Sequence, residues 1–388
     1  MIERKIKAEL LALANDYPVV TVTGPRQTGK TTLVRETFSH KAYVNLEHIA
    51  TRDLALTDPE RFLGQYPNGV ILDEVQRAPS LLSYVQVIVD EHQKGGEFIL
   101  TGSQQLNLHA EITQSLAGRT ALLKLLPLSF SELHTFKTFQ SVNEYLLHGF
   151  YPRIYQKNLE PRRAYRNYFE TYIERDLRQL SAIKDLNKFK RFMKLCAGRI
   201  GQLLNMDALG NEVGVSIHTI SHWISLLESS YIIFLLQPYF ENFGKRSIKS
   251  PKLYFNDVGL AAYLLDIETT AQMDRDPLRG HLFENMVIVD FIKHRLNQGL
   301  DPQIYFYRDS KGREIDMIYK SGDQLIPIEI KSAETFNRHF LKQLQYFKNL
   351  VGKRMPTGFI VYAGRTTQAV NDYQLISFDQ LENIEDFI

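Results

Sequence analysis

The chain has 388 residues, more than a single hydrophobic core usually organises, so we expect two or three domains. Hydrophobic residues make up 44% and charged residues 23%, which excludes a disordered or fibrous chain. The 46 Lys and Arg side chains balance 44 Asp and Glu, so net charge alone indicates no polyanionic partner. The single cysteine, Cys196, excludes an intrachain disulfide, and no apolar run reaches the roughly 20 residues that span a bilayer. We therefore expect a cytoplasmic protein with no membrane partner.

The first predicted elements surround a glycine-containing loop. A β-branched run at residues 18–24 predicts a buried strand, and residues 30–38 predict a helix. Between them, GPRQTGKT follows the pattern G-x-x-x-x-G-K-[ST], in which backbone N–H groups surround phosphates and Lys30 reaches the β- and γ-phosphates. We predict an ATP site with Thr31 as a Mg²⁺ ligand and Lys30 as a catalytic residue. The residues predicted to bind the nucleotide are Gly24, Pro25, Arg26, Gln27, Thr28, Gly29, Lys30, Thr31 and Thr32.

A second strand is predicted at Val70–Leu72, directly before two carboxylates. Asp73 is the predicted Mg²⁺ ligand, bound directly or through water. Glu74 is the predicted general base that polarises the attacking water. The spacing from the phosphate loop supports both assignments.

Later polar residues have two interpretations each. The next predicted strand ends near Thr101, Ser103 and Gln104, any of which either senses the γ-phosphate or belongs to an ordinary turn and helix cap. Arg119, before another apolar strand, either stabilises charge at the site or forms a surface ion pair.

These segments, with YVNLE, ILTGSQ, SLAGR and LPLSFSEL, resemble one family of AAA-type ATPases found in archaea and bacteria. In that family the ATPase core carries a C-terminal domain of unknown function that is similar to PD-(D/E)XK nucleases. The resemblance implies a five-stranded parallel sheet in the first part of the chain. The α/β fold expected from it and from the patterns comprises an AAA-type P-loop NTPase core (1–135), a helical lid region (136–200), a winged-helix-like region with a basic linker (201–250) and a PD-(D/E)XK nuclease-like domain (251–388).

The region from Pro161 to Arg199 is basic, with 11 Lys and Arg against 4 Asp and Glu. Aromatic residues are interleaved with the charges, a pattern that suits a surface for DNA or RNA. The alternative is a set of packed helices with a solvated face, because aromatics at helical spacing commonly lie in a core. These aromatics are Tyr165, Tyr168, Phe169 and Tyr172.

Two short helices are predicted around Gly214, with Ser216 as the N-cap of the second. Together with the following β-run they indicate a winged-helix arrangement. In a groove-binding mode, the residues near base edges would be His218, Thr219 and His222. The second helix and the residues after it contain no Lys or Arg before Lys245, which favours packing or protein contact and places any DNA contact in the basic, loop-like stretch 243–252. The predicted apolar face of the second helix comprises Ile217, Ile220, Ile224, Leu226 and Leu227.

The C-terminal segment predicts a helix, three strands, a helix and a strand, the order of a PD-(D/E)XK core. Glu329 and Lys331 alternate along one strand and so project to one face, next to Asp316 on the neighbouring strand. Asp316 and Glu329 are predicted ligands of Mg²⁺ or Mn²⁺, and Lys331 stabilises charge. Glu284, on the first helix, adds a ligand or a base. The resemblance implies catalytic roles for the same four residues, although the proline-aspartate pair of the motif is Ile315-Asp316 here.

Three hypotheses follow. The first is an ATPase coupled to a metal-dependent nuclease-like domain that acts on nucleic acid. The second is a nucleotide-switched regulatory or scaffold protein, which associates with itself or with a protein partner and cleaves nothing. The third is a DNA-binding regulator that acts through the winged helix.

Overall fold

The computed structural model describes residues 2–102, 115–173, 183, 185–240 and 249–381. The chain divides into two compact units, of which the first contains a five-stranded sheet and the second a six-stranded sheet. Within the described residues, no helix combines the length and the apolar character needed to cross a membrane. The first unit comprises residues 1–128, 229–231 and 295–300, and the second comprises 129–228, 232–294 and 301–388.

The sheet of the first unit is entirely parallel, with the strand order β2-β3-β4-β1-β5. Every residue of β1, β3 and β4 is buried, as expected for a sheet that is covered on both faces. The five-stranded parallel sheet implied by the family resemblance is therefore confirmed. Its strands are β1 (Val19–Thr23), β2 (Ala42–Asn45), β3 (Val70–Asp73), β4 (Phe98–Gly102) and β5 (Thr120–Lys124).

Helices pack on this sheet through two hydrophobic clusters. Successive strand residues belong to different clusters, so that Leu72 and Leu100 pack in one while Ile71 and Ile99 pack in the other. This is the period-2 alternation of a strand that is buried on both faces. The helices are α1 (Lys7–Asp16), α2 (Lys30–Thr37), α3 (Ile49–Thr57), α4 (Pro59–Gly64) and α5 (Leu81–His92).

The second unit begins with short helices and a two-stranded antiparallel sheet. The two helices predicted around Gly214 are present: Gly214 has φ +74°, and the Ser216 hydroxyl accepts a hydrogen bond from Thr219 N at 3.2 Å. The elements are α6 (Phe130–His134), α7 (Val142–His148), α8 (Pro152–Gln156), α9 (Pro161–Tyr168), a π-helical turn (Phe169–Ile173), α10 (Leu186–Ala197), α11 (Met206–Val213), α12 (Ile217–Ser229), β6 (Ile233–Leu236), β7 (Lys252–Phe255), α13 (Val258–Leu264) and α14 (Thr270–Arg275).

The aromatics of the basic region are core residues. Tyr165, Tyr168 and Phe169 are all buried, and the Tyr165 hydroxyl donates to Asp257 Oδ1 at 2.6 Å. The interpretation of these three as a nucleic-acid surface is wrong, because their helical spacing turns them towards one packed face. The side chain of Tyr172 lies outside the described part.

The apolar face of α12 differs from the prediction at its first residue. Ile217 is 44% exposed, whereas Trp223 is buried against the rings of Phe189 and Phe192, with centroids 5.2 and 5.3 Å away. His218 and His222 lie exposed on the outer face, so a base-contacting role for them stays a prediction.

The predicted C-terminal order of helix, three strands, helix and strand is confirmed, with two further strands that the sequence patterns missed. The sheet order is β12-β13-β11-β10-β9-β8, with β8, β9 and β10 antiparallel and β11 parallel to β10. The elements are α15 (Arg279–Asn297), β8 (Ile304–Arg308), β9 (Glu314–Ser321), β10 (Gln324–Lys331), α16 (Leu341–Val351), β11 (Gly358–Tyr362), β12 (Gln368–Val370) and β13 (Tyr373–Ser377).

Candidate functional site

The carboxyl ends of the parallel strands form the candidate nucleotide site. β1 runs directly into the glycine loop, and β3 and β4 end at Asp73 and Gly102 beside it. In open parallel sheets, ligands bind at this edge. The strand order therefore brings together residues that lie about 20 to 80 positions apart in the sequence.

Two glycines give the phosphate loop its conformation. Gly24 has φ +143°, and a Cβ atom there would lie 2.1 Å from Leu125 O, so no other residue fits without a shift of the backbone. Gly29 has φ +91° and immediately precedes α2. Inside the loop, the Thr28 hydroxyl donates to Pro25 O at 2.9 Å. The loop is thus shaped by its own backbone and side chains.

Lys30 is the central cation of this loop. Its Nζ donates to Gly24 O at 2.9 Å and to Pro25 O at 2.7 Å, and the side chain is buried. Burial lowers the pKa of Lys30 to about 8, although the nearby carboxylates of Glu74 and Asp73 act in the opposite direction. A buried ammonium that rests on neutral carbonyls would gain stability from an anion at the same place.

Asp73 and Thr31, the two predicted Mg²⁺ ligands of this site, are in contact. The Thr31 hydroxyl donates to Asp73 Oδ2 at 3.0 Å, and the Thr101 hydroxyl donates to Asp73 Oδ1. The Tyr43 hydroxyl also donates to Oδ2, at 2.6 Å. Hydroxyl and carboxylate oxygens are the hard ligands that Mg²⁺ prefers, so these residues fit that ion. Tyr43 was not predicted, because only the strand order reveals that β2 lies beside β3.

Glu74 follows β3 in a left-handed conformation, with φ +57°. This conformation costs a non-glycine residue about 1 to 3 kcal/mol and is common at functional sites. The Glu74 carboxylate accepts a hydrogen bond from Gln76 Nε2, and its backbone N–H donates to Thr101 Oγ1 at 3.4 Å. The Thr101 hydroxyl is therefore hydrogen-bonded to both the Asp73 carboxylate and the Glu74 backbone. Ser103 and Gln104 lie outside the described residues.

Arg119 forms a two-arm ion pair with Asp90. Its Nε lies 2.5 Å from Oδ1 and its Nη2 lies 2.7 Å from Oδ2. Of the two interpretations offered by the sequence, the surface ion pair is the one present in this structure.

A second group of charges lies in the second unit, at β9, β10 and α15. Lys331 Nζ lies 2.9 Å from Asp316 Oδ2 and 2.6 Å from Glu329 Oε2. Ile330 N donates to the same Asp316 oxygen at 2.8 Å. Three of the four residues predicted for this site therefore contact one another, as the alternation along β10 required.

The fourth, Glu284, is bound by residues of β7. Lys252 Nζ lies 3.0 Å from Glu284 Oε1 and 2.5 Å from Glu314 Oε1, and the Tyr254 hydroxyl also donates to Glu284. Lys252, the last residue of the basic stretch 243–252, belongs to β7 and is 2% exposed, so the loop-like interpretation of this stretch is wrong at that residue. Lys245 lies outside the described residues. We call Glu284, Glu314, Asp316 and Glu329 the carboxylate cluster.

Three residues at this site were not predicted from the sequence, namely Glu314 of the cluster and its neighbours Lys252 and Tyr254. Lys252 and Tyr254 alternate on β7 and so share one face, as do Glu314 and Asp316 on β9. The alternation was visible in the sequence, but the identity of the facing residues depends on tertiary packing.

Burial and charge act in opposite directions within the cluster. Burial, and then the charge of Asp316, raise the pKa of Glu329 to about 8, against the influence of Lys331. Burial also opposes ionisation of Glu284, but Lys252, the nearby His281 ring, whose Nδ1 lies 3.6 Å from Oε2, and the hydrogen bond from Tyr254 lower its pKa to about 2. Glu329 Oε1 is buried without a hydrogen-bond partner.

The donor set limits what metal the cluster could hold. Across the described ranges, no three or more His, Cys, Asp or Glu side chains are arranged to bind a metal ion. The predicted pair, Asp316 and Glu329, offers carboxylate oxygens only, which suits Mg²⁺ or Mn²⁺ completed by water or phosphate. Lys331 lies between the two carboxylates, so a metal ion there requires this lysine to move.

The chain matches known families in three consecutive segments. Residues 16–134 match the AAA domain, residues 139–271 match a domain of unknown function (DUF8612), and residues 279–381 match another domain of unknown function (DUF4143). The AAA-type core predicted from the sequence is thus supported, and the likeness of the C-terminal part to nucleases stays a prediction.

Relatives share most of the chain. An uncharacterized protein of Mycobacterium tuberculosis is 31% identical over 346 residues, which cover 86% of this chain and 75% of that protein. An uncharacterized protein of Haemophilus influenzae is 24% identical over 395 residues, covering 92% of this chain and 94% of that protein. Among solved structures, a Walker-type ATPase of Pyrococcus abyssi has a TM-score of 0.46 and 13% identity, covering 68% of this chain and 96% of that one.

Proposed function

The chain belongs to the same family as the uncharacterized Mycobacterium tuberculosis protein, and since its residues 16–134 are an AAA domain, we propose that it binds ATP with Mg²⁺ and hydrolyses the nucleotide. The observation that carries the proposal is the contact of Thr31 with Asp73, at 3.0 Å, directly beside the loop that holds Lys30. The two predicted Mg²⁺ ligands and the predicted phosphate-binding lysine lie at one sheet edge, which supports the proposal because nucleotide hydrolysis needs these groups together.

Each residue has a distinct role in the proposed reaction. Backbone N–H groups of the loop from Gly24 to Thr32, except at Pro25, which has none, surround the phosphates, and Lys30 exchanges its carbonyl partners for β- and γ-phosphate oxygens. Thr31 and Asp73 hold Mg²⁺, which when bound neutralises charge on the phosphates. Glu74 accepts a proton from the attacking water. Thr101 contacts both acidic residues and so links the metal ligand to the base.

Two substitutions test this proposal through separate measurements of ATP affinity and ATP turnover. Lys30→Ala should weaken ATP binding about 10- to 100-fold, the loss expected for hydrogen bonds to a charged group. Glu74→Gln should keep binding within about threefold but slow turnover about 10²- to 10⁴-fold. Normal turnover in both variants would overturn the proposal.

A second candidate function is metal-dependent cleavage of DNA or RNA by the C-terminal part. The observation in its favour is that Lys331, Asp316 and Glu329, predicted from separate positions, come together: Lys331 contacts both carboxylates, and Glu329 is buried. In such a site the carboxylates would hold Mg²⁺ or Mn²⁺, and Lys331 would stabilise charge on the scissile phosphate.

The cleavage test uses single- and double-stranded DNA and RNA with Mg²⁺ or Mn²⁺, with and without ATP. Cleavage that is lost in Asp316→Ala supports the nuclease, and its response to Lys30→Ala shows whether ATP controls it. If nothing is cleaved while ATP still binds, the nucleotide-switched regulatory or scaffold protein becomes the better hypothesis, and its test is ATP-dependent self-association or partner binding.

A further inference from the structure

The segment before α1 contacts the back of the phosphate loop. Arg4 Nη1 donates to Thr28 O at 2.7 Å, and Nη2 donates to Leu126 O at 2.7 Å. Ile2 and Ile6, two residues to either side, are buried and hold this segment against the first unit. One guanidinium thus bridges the phosphate loop and the chain that follows β5.

The first of these hydrogen bonds fixes a peptide plane. The carbonyl of Thr28 and the N–H of Gly29 belong to one planar trans peptide and point in opposite directions. Because Arg4 holds the carbonyl oxygen, the Gly29 N–H is directed away from Arg4. Rotation of this plane would exchange the two groups and present a carbonyl dipole where an N–H donor had been.

Gly29 makes such a rotation easy unless something opposes it. Gly29 has φ +91°, and glycine reaches positive and negative φ with similar ease, so its backbone does not by itself fix the orientation of this peptide. The Thr28 hydroxyl contacts Pro25 O, which anchors the side chain but leaves the following peptide plane free to turn. The hydrogen bond from Arg4 to Thr28 O therefore restrains the orientation of this donor.

We propose that Arg4 is a positioning residue of the nucleotide site, which keeps the Gly29 N–H aimed at a phosphate oxygen. The inference rests on the proposed ATP binding by this loop. Arg4 touches neither nucleotide nor water in this role and acts only through the Thr28–Gly29 peptide. Its contribution should appear in the affinity for phosphate-bearing ligands and not in the chemical step.

The test measures Kd for ATP, Kd for inorganic pyrophosphate, KM and kcat in the full chain with Arg4→Ala. We expect both dissociation constants and KM to rise about five- to tenfold, the effect of losing the one hydrogen bond from the Gly29 N–H to phosphate. The value of kcat should stay within about twofold. Arg61→Ala is the matched control, because Arg61 is an exposed arginine of the same unit, and should leave all four values unchanged.

Arg4→Lys is the second variant, and it keeps the charge but not the planar two-arm donor. It covers the case in which Arg4→Ala does not fold, and we expect at least a threefold rise in both dissociation constants. Affinities within twofold of wild type in a folded Arg4 variant overturn the inference, as does a fall in kcat with KM unchanged. If wild type itself binds no ATP, the proposed function fails, which is a different result.

Discussion

The pKa of a lysine is shifted in opposite directions in the phosphate loop and in the carboxylate cluster. Lys30 in the phosphate loop donates to carbonyl oxygens, and its burial lowers the pKa to about 8. Burial would also lower the pKa of Lys252 and Lys331, but carboxylates in direct contact outweigh it and raise both values. The difference lies in the partners, because all three side chains are largely removed from water.

The lysine of the phosphate loop has no directly bound anion among the described residues and can accept an anionic ligand. The lysines of the carboxylate cluster already have their charge balanced by carboxylates. Neutral carbonyls are weak partners, so Lys30 gains when a phosphate arrives. Lys252 and Lys331 are each bound to two carboxylates, and any ligand must compete with these contacts. The comparison predicts that removal of the lysine destabilises the protein strongly in the second unit and hardly at all in the phosphate loop.

The largest effect is expected for Lys252→Met. The substitution leaves Glu284 and Glu314 facing each other without their shared cation, and the loss of one partner from a buried pair costs about 3 to 5 kcal/mol. We expect a lower urea midpoint for unfolding of the second unit. Lys30→Met, the matched control, should change the free energy of unfolding by less than about 1 kcal/mol, since the lost carbonyl contacts and the relieved burial of a charge offset each other.

The double variant Lys252→Met with Glu284→Gln separates charge from packing. If the uncompensated carboxylate is the cause, neutralising Glu284 should restore a substantial part of the lost stability. Equal losses in Lys252→Met and Lys30→Met, or no recovery in the double variant, would contradict the comparison.

A smaller effect is expected on the pH dependence of nucleotide affinity. In the unliganded protein the pKa of Lys30 is about 8, and phosphate oxygens of a bound nucleotide would raise it. The ammonium is therefore present below about pH 7 and is lost from the unliganded protein as the pH rises through 8. At pH 9 about one tenth remains protonated, so ADP should bind up to about tenfold more weakly than at pH 7.

The measurement is the Kd for ADP between pH 7 and 9.5, in EDTA so that no metal ion contributes. Lys30→Arg is the control, because its guanidinium keeps its charge throughout this range and should give a flat profile. A flat profile in wild type would mean that the pKa of Lys30 is not lowered.

The sequence predicted the contacts around the phosphate loop more completely than those of the carboxylate cluster, for a physical reason. The loop from Gly24 to Thr31 is local, and its strand–loop–helix setting follows from periodicity and glycine placement. Asp73 could be assigned to the same site because the carboxyl ends of the strands in a parallel sheet lie at one edge, beside the loop. Tyr43 could not, since its contact depends on the order of strands.

The carboxylate cluster depends on contacts between distant segments. Asp316, Glu329 and Lys331 could be grouped because two paired strands and an alternation bring them together. Lys252 lies 32 positions before Glu284, at the end of a stretch rich in Lys and Arg in which the sequence predicts a loop. Only the packing of β7 against α15 turns this lysine inwards.

The smallest effect is expected for Arg119, which extends the comparison to a cation already paired in the first unit. Both arms of its guanidinium are engaged by Asp90, so it is not available to stabilise charge at the phosphates in this arrangement. Arg119→Ala should leave ATP turnover within about twofold of wild type at all protein concentrations. An arginine that supplies charge in the transition state, from its own chain or a neighbouring copy, would instead cost about 10³-fold or more. Asp90→Asn distinguishes the cases further, because it releases Arg119: unchanged turnover agrees with a surface pair, whereas faster turnover would mean that Asp90 restrains a functional arginine.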